Sequence, residues 1–70
     1  MMPLTIAAVN DEYIIKKIGG SSEVRTHLEN LGFVSGGKLK VVSSHKGDLI
    51  VSVKDSRIAL SRELAAKIMV

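Results

Sequence analysis

Apolar and polar positions along this chain follow two different periods. From Leu39 to Ser44, from Leu49 to Lys54 and from Arg57 to Ser61 the period is two. Leu39 and Val41, then Leu49, Val51 and Val53, then Ile58 and Leu60 each fall on one face. That spacing predicts three half-buried strands. His45–Lys46–Gly47–Asp48 and Lys54–Asp55–Ser56–Arg57 separate them and read as tight turns. Between Glu23 and Leu31 the period lengthens. Val24, Leu28 and Leu31 stand at i, i+4 and i+7, one stripe of a helix. Ser21 or Ser22 can cap its start, and Glu23 suits the positive end of its dipole. Gly32 follows at once and predicts a left-handed helix stop.

The remaining segments are less regular. Pro3 to Val9 is mostly apolar, with Leu4, Ile6 and Val9 as its expected anchors, and Asn10–Asp11–Glu12 reads as a turn. Tyr13 to Ile18 is strand-like in composition but alternates imperfectly. Ile14 and Ile15 are adjacent, two lysines follow, and then comes Ile18. The pattern suits a strand that is apolar on both faces at one end, or one carrying a bulge. Phe33 and Val34 are expected to fold back over the helix end before a turn at Ser35–Gly36–Gly37. Ser61 can cap a further turn or two through Glu63, Leu64 and Ala65, and Ile68–Met69–Val70 closes the chain as a last strand. The order predicts one mostly-β domain over residues 1–70, a small antiparallel five-stranded barrel with short helices. Closure hides strand edges and lets every strand share one core.

Composition narrows the class. Seventy residues allow a single small domain, which buries only ~60% of the surface its unfolded chain exposes. The 46% hydrophobic and 24% charged residues give an ordinary globular balance, not that of a disordered tail. The absence of cysteine excludes disulfides, thiolate zinc fingers, iron–sulfur clusters and a Cys nucleophile. No apolar run approaches the ~20 residues that span a bilayer, and no basic-then-apolar leader opens the chain. The expected setting is the cytosol, without direct membrane insertion. The net charge of +3 comes from ten Lys/Arg against seven Asp/Glu, scattered rather than in a block. With one Tyr and one Phe, the chain also lacks an aromatic platform for bases, so no nucleic-acid partner is expected.

Reactive groups are sparse. The eight serines sit mostly at expected caps and turns, and no Gly-x-Ser-x-Gly elbow surrounds any of them. Gly19–Gly20–Ser21–Ser22 lacks the spacing of a phosphate-binding loop. No enzyme is expected. Glu23 and His27 stand one helical turn apart and could chelate one divalent ion, since imidazole with carboxylate suits ferrous iron, zinc or manganese. The simpler reading, a solvated pair that supports the helix, is preferred, because a firm site takes three or four ligands. Any ion held there would be weak, on the surface, or completed by another chain. His45 is expected at a hairpin tip. What is left is a recognition module, a rigid frame whose surface a partner reads.

The segment Leu28–Glu–Asn–Leu31–Gly32–Phe33–Val34–Ser35–Gly36, followed by Gly37–Lys–Leu39–Lys–Val41–Val42, resembles the FeoA family of ferrous iron transport proteins. Asp48 to Val53, Arg57–Ile58–Ala59–Leu60, the closing Glu63 to Val70, and the opening Pro3–Leu4–Thr5 and Ile18–Gly19–Gly20 resemble it as well. The resemblance implies an SH3-like barrel. It also implies a cytosolic accessory that binds the membrane transporter FeoB, through its GTP-binding region or its membrane domain. No cofactor is implied as required, though a weakly bound iron(II) or zinc ion fits the family. Asn10–Asp11–Glu12, Ser35 and Asp55–Ser56 depart from the family's usual turns. An alternative is a stand-alone relative of the C-terminal barrel of diphtheria-toxin-type, iron-dependent repressors. The chain starts at a Met and shows no helix-turn-helix, which favours the transport reading. Candidate metal ligands are Glu23 and His27, and candidate partner contacts are Arg25, Phe33, Val34 and Lys46. A monomer or weak homodimer is expected.

Overall fold

The computed structural model describes every residue from Met1 to Val70. A 3-10 turn at Leu4–Ile6 leads to strands β1 (Glu12–Ile14) and β2 (Lys17–Ile18) and to helix α1 (Ser22–Leu31). The meander β3 (Lys38–His45), β4 (Asp48–Val53) and β5 (Ser56–Leu60) follows, then the short helix α2 (Arg62–Ala65) and β6 (Ile68–Met69). All strand pairs are antiparallel. One sheet has the order β1-β3-β4-β5, and β2 pairs with β6 in a second.

The segment Tyr13 to Ile18 is therefore two strands in two sheets. The chain turns a corner at Ile15 and Lys16, and its backbone groups stay bonded through the turn. The Ile15 N–H donates to the Gly37 carbonyl at 2.8 Å, and the Gly36 N–H donates to the Ile15 carbonyl at 2.7 Å. One residue later the Lys16 N–H donates to the Met69 carbonyl at 2.8 Å, across to the second sheet. A strand that bends between sheets is a common way to make a barrel corner. The adjacent Ile14 and Ile15 mark it, because Ile15 is 1% exposed and Ile14 is 46% exposed. Counted as one bent strand, the segment gives the five strands that the sequence predicts.

The meander forms as its alternation requires. Leu39, Val41, Leu49, Val51, Val53 and Leu60 all point inward and are buried. The register of β3 against β4 shifts between Val41 and Ser43, so Val42 is the extra residue of a bulge. Both hairpins turn on two left-handed residues, Lys46 (φ 51°) with Gly47 (φ 89°) and Lys54 (φ 48°) with Asp55 (φ 64°). That geometry matches the right-handed twist of the strands.

Helix α1 has the predicted ends. The Ser21 Oγ accepts from the Val24 N–H at 3.3 Å. At the other end Gly32 takes φ 109°. Its N–H donates to the Glu29 carbonyl at 3.0 Å, and the Phe33 N–H reaches back to the Leu28 carbonyl at 2.9 Å. These two bonds satisfy carbonyls the helix leaves free, and they bring Phe33 against Leu28 in the core. Both side chains are fully buried.

The leading segment departs from expectation. Leu4 is buried, but Ile6 is 66% and Val9 is 43% exposed. In a 3-10 turn residues i and i+3 share a face, so Leu4 and Ala7 turn inward and Ile6 turns out. Hydrogen bonds hold the segment instead. The Ala8 N–H donates to the Tyr13 hydroxyl at 2.8 Å, and the Asn10 N–H donates to the Val41 carbonyl at 2.7 Å. Met2 and Val70 exchange both backbone bonds, at 2.9 and 2.8 Å.

Gly32→Val should lower stability by about 1–2 kcal/mol, because a β-branched residue resists the left-handed region. An unchanged urea midpoint would contradict the helix stop described above. Asp55→Gly should raise stability by about 0.5–1 kcal/mol, the left-handed cost relieved less the backbone entropy glycine adds. A lower midpoint would mean that the Asp55 side chain stabilises the turn.

Candidate interaction surface

Helix α1 presents the candidate metal pair on its solvent side. With Val24, Leu28 and Leu31 turned inward, Ser22, Glu23, Thr26, His27 and Asn30 line one shallow polar depression. Glu23 and His27 thus share a face, as their spacing predicts. No group of three or more His, Cys, Asp or Glu side chains suited to a metal ion occurs in the structure. Two donors on an exposed face fall short of the four that build a closed zinc site. A resident metal centre therefore does not fit the residues of this chain alone.

The candidate partner contacts divide. Arg25 and Val34 come together. They line a cleft of about 380 Å³ whose other wall is the strand corner, with Lys16, Lys17 and the half-buried Ile18. Glu29 and Ser35 complete it. The Ser35 Oγ donates to the Lys16 carbonyl at 3.2 Å and ties the loop after α1 to the corner. Lys46 is exposed at the β3–β4 turn and is not part of this cleft. Phe33, expected as a partner contact, does not reach the surface. It is 0% exposed and belongs to the core, because the bond from its N–H to Leu28 folds it under the helix. It offers no contact surface.

Lys16 and Lys17, which the sequence pattern does not single out, also line this cleft. Consecutive strand residues point to opposite faces, so a straight strand would have separated them. The corner between β1 and β2 brings both to one cleft. The break in alternation at Ile14–Ile15 was the available signal.

His45, Asp48 and Ser61 line a third depression, on the outer side of the meander. The types suggest nucleophilic chemistry, but the bonds assign two of them to the frame. The Asp48 Oδ1 accepts from the Arg62 N–H at 2.9 Å, and the Ser61 Oγ accepts from the Leu64 N–H at 3.3 Å. Both satisfy the free donors at the start of α2. Gly47 completes this clasp. A Cβ on it would stand 2.7 Å from the Arg62 Cδ, so the turn and α2 pack closely.

Similar proteins bear on the reading. A family model described as FeoA domain matches residues 2–70. A Methanocaldococcus jannaschii protein, provisionally named Fe(2+) transport protein A, is 43% identical over 70 residues, 100% of this chain and 85% of that one. The crystal structure of an iron uptake regulatory protein, FeoA, superimposes with a TM-score of 0.88 at 31% identity, covering 97% of this chain and 90% of the other. The FeoA of Stenotrophomonas maltophilia, solved with zinc and described as an SH3 domain protein, superimposes with a TM-score of 0.84 at 21% identity over 99% of this chain and 88% of its own. A manganese-dependent transcriptional repressor shares the fold, with a TM-score of 0.85 at 16% identity over 94% of this chain and 38% of the repressor. The fold is SH3-like, mostly β with two short helices.

Asp48→Ala should cost about 0.5–2 kcal/mol, the usual loss when a helix start loses its side-chain acceptor. The urea midpoint should fall with its slope unchanged. A wild-type midpoint would mean that water replaces the carboxylate at no cost.

Proposed function

The chain belongs to the FeoA family of ferrous iron transport accessory proteins, and on that premise we propose that it binds and modulates the membrane transporter FeoB from the cytosolic side. The observation that carries this reading is the match to a ferrous iron transport relative along the whole chain. The frame supports it. The caps, turns and core use most of the distinctive residues for folding, which leaves surface contact as the means of action. No helix is long and apolar enough to cross a membrane. The metal-dependent regulators share the fold at low identity, and this chain covers a minor part of the repressor's length. The transport reading is therefore preferred to a regulatory one.

Metal enters this proposal as a weak ligand. Glu23 and His27 form an exposed two-donor pair, and water or another chain would supply the rest of the coordination shell. Arg25, Val34 and Lys46 are proposed as contact residues for the transporter.

Two measurements test these statements. Titrating the isotope-labelled chain with the soluble GTP-binding region of its cognate transporter should give saturable amide shifts on one contiguous patch. No shifts with nucleotide and iron(II) present would contradict contact with that region. His27→Ala should weaken zinc binding, followed by calorimetry, at least several-fold without lowering the thermal midpoint. Equal affinity would remove the Glu23–His27 pair from the account.

A further inference from the structure

We infer that the cleft between the β1–β2 corner and α1 docks an acidic peptide segment of a partner protein, whose carboxylates meet Lys16, Lys17 and Arg25. This rests on the reading above only for the partner's identity.

The charge of the molecule is concentrated here. Three cations and one carboxylate, Glu29, line the cleft, a local balance of +2 out of the chain's net +3. The remaining seven cations and six carboxylates nearly cancel over the rest of the surface. The three cations come from two elements on opposite walls, the strand corner and the helix. Lys16, Lys17 and Arg25 are all exposed, so their charges are available to a ligand. The half-buried Ile18 and Val34 add apolar surface between them. Cations on both walls together with apolar lining suit an extended segment, which offers carboxylates on some side chains and hydrocarbon on others.

The same geometry disfavours a compact dianion. Glu29 lies one helical turn beyond Arg25 and faces the same cleft, where it repels a phosphate set among the cations. Compact phosphate sites use backbone N–H groups at the first turn of a helix. Here the helix contributes Arg25 and Glu29, beyond the capped first turn at Ser21 and Ser22. An extended chain spaces its charges and can pass Glu29 with a neutral side chain.

The test is an amide-shift titration of the whole chain with a synthetic peptide of alternating Glu and Leu, beside its Gln-for-Glu counterpart. The Glu peptide should give saturable shifts at Lys16, Lys17, Arg25 and Val34, and the Gln peptide none. The double variant K16E/K17E, on exposed side chains, should keep the native spectrum and weaken binding at least ~10-fold, or about 1.4 kcal/mol. R57E, on an exposed β5 side chain outside the cleft, should stay within about twofold of wild type, within the range expected for a remote surface charge. Absent shifts, equal shifts with the Gln peptide, or equal loss in R57E would overturn the inference. So would inorganic phosphate shifting the same amides as strongly. Binding to phosphatidylglycerol vesicles in preference to the peptide would overturn it in favour of a membrane. Transporter binding that survives K16E/K17E would overturn the cleft and leave the partnership standing. Peptide binding in the cleft without any transporter binding would do the reverse.

Discussion

One cluster of thirteen buried side chains has to hold two sheets together, and the fold depends on that constraint. A two-stranded pair such as β2 and β6 is marginal by itself, and the chain has no disulfide to reinforce it. It persists because Ile15 and Ile68 are buried in the same cluster as the meander. The corner at Ile15 and Lys16 is the shortest of the covalent links between the sheets. Its backbone bonds run to Gly37 on one side and to Met69 on the other. Straightening this segment would place Ile15 outside the core or break one of those bonds.

The surface features follow from the same corner. Turning the chain brings Lys16 and Lys17 to one cleft and sets them opposite Arg25 on α1. The helix is itself fixed by its exit, where Gly32 and Phe33 return two bonds to its last turn. At the other end of the molecule Asp48 joins the first hairpin to α2. The distinctive glycines and leucines of the family pattern thus build a frame. The cations that line the cleft, Lys16, Lys17 and Arg25, lie outside that frame and are exposed.

Much of the frame was legible in the sequence, since short-range rules govern it. Alternation located β3, β4 and β5. The sequence Leu28–x–x–Leu31–Gly32 located the helix end, and Ser61 located the start of α2. Ile6 and Val9 misled because hydrophobicity alone does not say which way a 3-10 turn faces. Phe33 misled as a contact because its position after the helix stop is also where the stop motif turns a side chain inward. The cleft was less legible still. Its walls come from residues 16–18 and 25–35, and only the tertiary corner brings them together. The pair at Glu23 and His27 was legible as a pair, but the lack of a third ligand is a property of the fold.

The central claim is that both sheets, joined at the corner, form one cooperative unit. Native-state amide hydrogen exchange tests it most directly. The Ile15, Lys16 and Gly36 amides, each bonded across the corner, should exchange only through global unfolding, with the same opening free energy and denaturant dependence as the amides of β4. If Lys16 and the β2–β6 amides instead open at a much lower free energy while β4 stays protected, the second sheet is a separate unit and the account is wrong.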